Sequence, residues 1–261
     1  AFDVYYAMNQ TVKNSLDYLL SQPDQYFNIQ REKVRELEKL QQKSNYNGSV
    51  SADWFQPTFL IGFPRSGTTL LDTILRSHSK IDVVEEQPLV IKMHEKLGVS
   101  KTFSDIETID DDLAKTLSDV YFTELEKRIQ HRNDALLIDK LPLNILSIPL
   151  IKKVFPGAKF ILALRHPLDC VLSCWMQNFK LNQAMANMAD LDRTVDFYCT
   201  AMEILELCKQ RYQLDIHQIR YEDLVVDFTG NISDLLAFLD LTWEEQLKGY
   251  QKTAIARGKI N

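Results

Sequence analysis

An apolar run, a glycine-containing turn and a second apolar run follow one another in residues 58–75, TFLIGFPRSGTTLLDTIL. We interpret them as a strand, a tight turn and the start of a helix. Such a turn directs several backbone N–H groups at one anion, and the helix dipole adds positive charge at the same place. The stretch therefore predicts an α/β fold with a site for a phosphate-like group.

The turn has the spacing of a nucleotide-binding loop but lacks its lysine. It runs G-x-x-x-x-G-T-T from Gly62 to Thr69, whereas the P-loop of nucleoside-triphosphate enzymes runs G-x-x-x-x-G-K-[ST]. Thr68 thus stands where that loop has the lysine that neutralises the β- and γ-phosphates. Arg65 is the cation of the turn, which suits a shorter anion held without a metal. An ordinary strand-to-helix turn, with glycines for geometry alone, is the alternative for so short a motif.

Size, charge and cysteine content limit the class of protein. The 261 residues, 45% of them hydrophobic, suffice for one large α/β domain with an appendage or for two small domains. A net charge of -6 argues against a general nucleic-acid surface. No apolar run approaches the length of about 18 residues that a membrane-spanning helix needs. The four cysteines show no C-x-x-C spacing, so we expect neither zinc nor a disulfide framework, and a reducing, cytoplasmic compartment.

We divide the chain into an N-terminal helical segment, residues 1–50, and a nucleotide-binding domain, residues 51–261. The first segment carries charged residues interleaved with apolar ones at three-residue spacing, as in Val34, Leu37 and Leu40, which is typical of amphipathic helices. The sequence starts without methionine and stops after a loop-like basic stretch. We therefore expect a fragment or a processed form, with a C-terminal tail missing from the second domain.

Short apolar segments alternate with helical patterns through the second domain. The predicted strands cover residues 58–63, 81–84, 135–139, 159–164 and 214–219. This alternation indicates a central parallel sheet of about five strands with helices on both faces. Ligands of such sheets bind at the carboxyl ends of the strands.

Polar side chains follow each predicted strand at that edge. They are, in chain order, Arg65, Glu85 and Glu86, Lys140, Arg165 and Tyr221. Pro167 starts the helix after Arg165, so the Ser173 hydroxyl can point back to the strand end and share a phosphate with the guanidinium. Solvated side chains are the alternative interpretation of Lys140 and Glu86, and a half-buried core residue that of Tyr221.

With these residues in place, the chain resembles the sulfotransferases that use 3′-phosphoadenosine 5′-phosphosulfate (PAPS). The resemblance covers most of residues 57–255. The segment PRSGTTL, residues 64–70, is similar to the 5′-phosphosulfate loop of that family. The segment LRHPLDCVLS, residues 164–173, is similar to its 3′-phosphate segment, with the same separation of arginine and serine.

The most similar branch contains the protein-tyrosine sulfotransferases and bacterial sulfotransferases with tetratricopeptide repeats. Residues 84–87, VEEQ, resemble the segment of this branch whose second glutamate is the proposed base. Residues 138–140, IDK, resemble its catalytic-lysine segment. Residues 220–225, RYEDLV, resemble the segment whose tyrosine lies beside the adenine. Val84 replaces a glycine, and Gln87-Pro88 replace a threonine and an arginine, which leaves the acceptor open. By the resemblance, residues 1–50 are the end of a helical-repeat region.

The resemblance implies a P-loop-like sulfotransferase fold and in-line transfer of a sulfuryl group from PAPS to a hydroxyl, without a metal, giving adenosine 3′,5′-bisphosphate. It implies Glu86, with Glu85 as the alternative, for the base. It also implies that Lys140 and Arg65 are catalytic residues. The implied nucleotide-binding residues are Arg65, Ser66, Gly67, Thr68, Thr69, Arg165, Ser173 and Tyr221.

By the resemblance, the acceptor is a hydroxyl of a carbohydrate, a tyrosine peptide or a small molecule. We expect no nucleic-acid partner, and we leave open whether the protein forms a homodimer. Two other functions stay open at this point. A P-loop nucleoside or nucleotide kinase with an altered lysine would turn over ATP with Mg²⁺. A non-catalytic nucleotide-binding scaffold would bind the bisphosphate and transfer no sulfate.

Overall fold

The computed structural model describes residues 2–41, 53–98, 102–132, 134–256 and 258. The strands in these residues are β1 Thr58–Gly62, β2 Ile81–Glu85, β3 Leu136–Lys140, β4 Lys159–Leu164 and β5 Asp215–Arg220. They form one sheet in the order β2-β3-β1-β4-β5, and every neighbouring pair is parallel. Residues 45–49, NYNGS, have the composition of a loop before the first strand, but they lie outside the described residues.

Helices connect and cover the strands. They are α1 Phe2–Lys13, α2 Leu16–Leu20, α3 Pro23–Gln41, α4 Thr68–Leu75, α5 Leu89–Leu97, α6 Phe103–Glu107, α7 Asp111–Glu126, α8 Ile148–Val154, α9 Pro167–Trp175, α10 Leu191–Tyr212, α11 Tyr221–Val226, α12 Phe228–Phe238 and α13 Tyr250–Ala256. Short 3-10 helices cover Pro142–Ser147, Met185–Ala189 and Glu245–Gly249.

The sheet has an apolar cluster on each face. Successive residues of β1 alternate between the clusters: Phe59 and Ile61 pack into the larger one and Leu60 into the other. Both clusters consist of fully or nearly fully buried side chains from the strands and the covering helices. The prediction of an α/β fold around a parallel sheet of about five strands is confirmed.

The structure divides one predicted helix into two. The apolar pattern of residues 144–155 predicts a single helix, but these residues form the 3-10 helix Pro142–Ser147 followed by α8. Pro149 lies in the first turn of α8 and has no N–H for the preceding turn. The proline therefore separates two short helices where the periodicity alone indicates one.

Helix α3, in the N-terminal segment, packs on the larger apolar cluster of the sheet. Its apolar residues, among them Phe27 and Leu37, belong to that cluster, and Phe27 meets Phe197 of α10 edge to face. At the other end of α3, the Arg211 guanidinium donates to the Leu40 carbonyl at 2.7 Å. Residues 23–41 thus share a core with the sheet. The domain boundary at residue 50 and the origin of this segment in a repeat region stay predictions.

The carboxyl group of Asp139 is buried one residue before the end of β3. It is fully buried, and the Tyr121 hydroxyl donates to its Oδ2 at 3.1 Å. Burial raises the pKa of Asp139 to about 7. Between about pH 4 and pH 7 the native protein therefore holds a proton that the unfolded chain has released, so stability falls as the pH rises.

Replacing Asp139 by asparagine should remove this pH dependence. We expect the free energy of unfolding of Asp139→Asn, relative to the unmodified chain, to rise by about 2–3 kcal/mol between pH 5 and pH 8. Urea unfolding of both proteins at the two pH values measures this difference. A difference that is the same at both pH values would contradict a raised pKa for Asp139.

Candidate active site

The turn after β1 is closely packed. A Cβ added to Gly62 would lie 2.6 Å from the Ala163 carbonyl oxygen and 2.8 Å from Ser66 Oγ, so only glycine fits there. Gly67 has a φ of +98° and precedes α4 directly. The sequence thus forms the predicted strand, turn and helix, with the first N–H groups of α4 at the carboxyl edge of the sheet. These N–H groups have no acceptor within their own helix.

The residues of the turn differ in how they face the edge. The Ser66 side chain is buried, and its Oγ has no hydrogen-bond partner among the described residues. The Ser66 N–H donates to the Phe63 carbonyl at 3.2 Å, inside the turn. Thr68 is buried and Thr69 is exposed, at the first two positions of α4. The backbone N–H groups of residues 67–69 are therefore better placed for an anion than that of Ser66.

Helix α9 lies directly against this turn. The Arg65 Nε–H donates to Ser173 Oγ at 3.0 Å, and the Cys174 thiol contacts the Pro64 carbonyl oxygen at 3.3 Å. Arg65 belongs to the predicted 5′ loop and Ser173 to the predicted 3′ segment. The structure thus brings these two segments into contact although 108 residues separate the arginine and the serine.

Tyr221 lies between the turn and Arg165. A Cβ on Gly67 would be 3.2 Å from Tyr221 Cδ2, so the ring packs against the bare Cα of the glycine. The Arg165 guanidinium lies over the same ring, 5.0 Å from its centroid, a cation–π arrangement. Tyr221 is the first residue of α11 rather than a residue within β5. Gly67, Tyr221 and Arg165 therefore form a continuous series of contacts from the turn after β1 to the end of β4.

Lys140 and the two acids after β2 form a second group. The Lys140 side chain is 0% exposed, and its Nζ donates to Glu85 Oε1 at 3.0 Å and to Glu86 Oε1 at 2.7 Å. The Glu86 N–H in turn donates to the Lys140 carbonyl at 2.8 Å. Lys140 pairs with Glu85 in the β2–β3 register and with Leu60 in the β1–β3 register. The group lies beside the end of β1, from which the turn with Arg65 departs.

Two residues of the site have an unfavourable backbone conformation. Arg65 has a φ of +69° and Glu86 a φ of +49°, in the left-handed region that glycine adopts most easily. Left-handed non-glycine residues cost of order 1 kcal/mol or more and cluster at functional sites. Both side chains are therefore held at the sheet edge at the expense of stability.

Sequence reasoning missed one residue of this edge. The Glu222 Oε1 accepts a hydrogen bond from the His166 N–H at 2.8 Å, which ties α11 to the turn after β4. The segment Arg220–Asp223 resembles an ordinary acidic helix start, so the only available signal was the position of Glu222 next to Tyr221.

The described residues contain neither a cluster of metal ligands nor a membrane-spanning helix. Within residues 2–41, 53–98, 102–132, 134–256 and 258, no group of three or more His, Cys, Asp or Glu side chains could hold a metal ion. Among the helices of those same ranges, none is long and apolar enough to cross a bilayer.

Comparison with known proteins gives a consistent result. A family model described as "Sulfotransferase family" matches residues 57–245. An uncharacterized protein of Aquifex aeolicus is 28% identical over 97% of this chain, and the matched part is 34% of that protein. Protein-tyrosine sulfotransferase 1 of Danio rerio is 26% identical over 78% of this chain and 58% of its own length. The chain thus spans about a third of the length of the Aquifex aeolicus protein and somewhat over half of the length of the Danio rerio protein.

A solved structure shares the fold. The crystal structure of sulfotransferase STF1 from Mycobacterium tuberculosis matches 97% of this chain and 93% of its own with a TM-score of 0.51. The two sequences are 12% identical, so the similarity concerns the fold alone.

Proposed function

The chain belongs to the sulfotransferase family, and we propose that it transfers a sulfuryl group from PAPS to an acceptor hydroxyl. The observation that carries this proposal is the hydrogen bond between Arg65 and Ser173, which joins the turn after β1 to α9. A donor with a phosphosulfate at one end and a phosphate at the other needs two adjacent anion sites. The turn after β1 and helix α9 would supply these two anion sites.

The turn after β1 would hold the 5′-phosphosulfate. It would supply the N–H groups of residues 67–69, the positive end of α4, the Arg65 guanidinium and the Ser66 hydroxyl, which has no hydrogen-bond partner among the described residues. An arginine and backbone dipoles neutralise such a group without a metal, because PAPS has no triphosphate that must chelate Mg²⁺. Thr68 in place of the P-loop lysine fits this shorter anion better than it fits ATP, so the kinase alternative is not favoured.

Arg165 and Ser173 would hold the 3′-phosphate. Arg165 extends from the end of β4 over the Tyr221 ring, and Ser173 lies one and a half turns into α9. An arginine fork suits phosphate oxygens, and the ring of Tyr221 offers an apolar surface for the adenine. Because ATP and AMP lack a 3′-phosphate, these contacts would select PAPS.

Lys140 and Arg65 would stabilise the charge that builds on the bridging oxygen as the sulfur–oxygen bond breaks. Positioned cations in a site that excludes water are effective in this role. In the structure, Glu86 covers the Lys140 ammonium from the solvent side. The Glu86 carboxylate must therefore turn away from Nζ for the ammonium to reach the donor.

Glu86 would remove the proton from the acceptor hydroxyl. Its side chain is 57% exposed, compared with 21% for Glu85, so Glu86 is the acid that an incoming acceptor meets. Both carboxylates contact Lys140, which keeps an acid and a cation at the same place on the edge. The name of the Danio rerio relative supports a tyrosine hydroxyl as acceptor. Carbohydrate and small phenolic hydroxyls belong to the same chemical class.

Loss of the Arg165 guanidinium should weaken binding of the 3′-phosphate. We expect Arg165→Ala to raise the dissociation constant of adenosine 3′,5′-bisphosphate about 10- to 100-fold, since a hydrogen bond to a charged group is lost. Binding of adenosine 5′-monophosphate should change little. Isothermal titration calorimetry with both nucleotides measures the two effects.

Arg193→Ala is a matched control for this experiment. The Arg193 side chain is 31% exposed, as is that of Arg165, and it pairs with Asp24 of α3. It should leave the affinity for both nucleotides unchanged. An unaltered bisphosphate affinity in Arg165→Ala would contradict the assignment of Arg165.

Incubation of the protein with ³⁵S-labelled PAPS and a panel of acceptors tests the function itself. Tyrosine peptides, carbohydrates and small phenols represent the three acceptor types. We expect label on at least one type without added metal. Mg²⁺-dependent turnover of ATP with no transfer of label would contradict the proposal.

A further inference from the structure

Within the described residues, one carboxylate oxygen of Glu222 accepts a hydrogen bond from another residue and the other does not. Oε1 accepts the His166 N–H at 2.8 Å, whereas Oε2 is buried and has no hydrogen-bond partner within the described part of the chain. The hydrogen bond from the His166 N–H, together with the backbone N–H of Glu222 itself and the charges of Arg220 and Arg165, holds the pKa of Glu222 below its ordinary value. The carboxyl group is thus ionised, and a buried carboxylate oxygen without a donor is unfavourable.

Arg165 has the complementary deficiency. Its Nε is buried and, in the same described ranges, has no acceptor. Its terminal NH2 nitrogen has only a long contact, 3.5 Å, with Asp169 Oδ2. The guanidinium otherwise rests on the Tyr221 ring. A buried donor and a buried acceptor, each without a partner among the described residues, therefore lie on residues that flank the same turn.

The chain connects these two groups closely. Arg165 is followed by His166, whose N–H is held by Glu222, and Glu222 is preceded by Tyr221, on whose ring Arg165 lies. Any small movement of the guanidinium on this ring changes its separation from the carboxylate. When the two terminal nitrogens of Arg165 bind an anion, the Nε–H does not point at that anion and can donate to another acceptor.

We propose that Glu222 is a positioning residue for Arg165. One carboxylate oxygen fixes the backbone of the turn through His166, and the other accepts the Arg165 Nε–H when the terminal nitrogens bind the 3′-phosphate. The inference rests on the proposed function, since it assigns Arg165 to that phosphate. A glutamine at position 222 has an NH₂ donor in place of one carboxylate oxygen, so in the same position it can accept from only one of the two N–H groups.

Simple electrostatics predicts the opposite result from this proposal. A carboxylate near a phosphate repels it, so removal of the negative charge should tighten anion binding. A positioning role predicts weaker binding. The sign of the effect therefore separates the two explanations.

The experiment compares the affinities of adenosine 3′,5′-bisphosphate and adenosine 5′-monophosphate by calorimetry. We expect Glu222→Gln to lower the preference for the bisphosphate about tenfold, the effect of losing one hydrogen bond to a charged group. Asp223→Asn, an exposed acid one residue along, removes the same charge without that contact and should leave the preference equal or higher. In an Arg165→Ala background, Glu222→Gln should cause no further loss.

The outcomes separate this inference from the proposed function. An unmodified chain that shows no preference for the bisphosphate would reject the proposed function before any variant is made. With that preference present, an equal or higher preference in Glu222→Gln would overturn the positioning role. The positioning role would also be overturned if Glu222→Gln lowered this preference equally in the Arg165→Ala background, because a merely structural role does not need the guanidinium.

Discussion

Replacing Glu86 by glutamine is expected to lower the turnover of sulfuryl transfer about 10²–10⁴-fold, the usual contribution of a general base. The affinity for adenosine 3′,5′-bisphosphate should stay unchanged, because the proposed nucleotide contacts lie on the turn after β1, at the end of β4, and on α9 and α11. Glutamine keeps the size of the side chain and an oxygen for the Lys140 ammonium, so the fold should be preserved. Single-turnover rates with labelled PAPS, together with nucleotide titration, measure both quantities.

Glu85→Gln is the matched control for Glu86. The two acids are adjacent, and each accepts a hydrogen bond from Lys140 Nζ. Glu85 is the less exposed of the two, so its replacement should affect turnover less. A large loss in Glu85→Gln with full turnover in Glu86→Gln would transfer the role of base to Glu85. Loss of nucleotide binding with turnover intact would reject the assignment of either acid.

Replacing Lys140 by methionine should have a comparably large effect. We expect turnover to fall about 10²–10³-fold, as when one preorganised donor to a developing negative charge is removed. Glu86 would also lose its partner, so the two changes should not be additive in the double variant Glu86→Gln/Lys140→Met. Turnover of the single and double variants, measured with saturating PAPS, gives the coupling between the two residues.

Lys153→Met controls for the loss of a buried lysine. Lys153 is also buried, but it lies on α8, away from the carboxyl edge of the sheet. This variant should keep its turnover. A Lys140→Met protein that is folded and works at nearly the unmodified rate would contradict the proposed role of Lys140.

The fold could be predicted because its signals are local. In residues 58–75 the apolar run, the two glycines and the helix pattern lie side by side, and the structure places β1 and α4 there. The strand predicted at 159–164 has the same bounds as β4, and that predicted at 214–219 is displaced by one residue from β5. Helix–strand alternation then fixes a parallel sheet and its binding edge.

The rest of the site depends on contacts between distant residues. The Glu222 carboxylate meets the His166 N–H across 56 residues of sequence, and no local pattern marks this pair. The left-handed conformation of Glu86 is similarly invisible, because glycine usually marks such a position and this one holds a glutamate. Sequence reasoning could place each polar residue at a strand end. It could not determine which of them contact one another.

The crystal structure of this protein with adenosine 3′,5′-bisphosphate tests the central claim most directly. We predict that the 5′-phosphate lies on the N–H groups of residues 67–69 and the Arg65 guanidinium. The 3′-phosphate should contact Arg165 and Ser173, with the adenine against Tyr221. A nucleotide bound away from the carboxyl edge of the sheet, or one whose 3′-phosphate contacts neither Arg165 nor Ser173, would contradict the account.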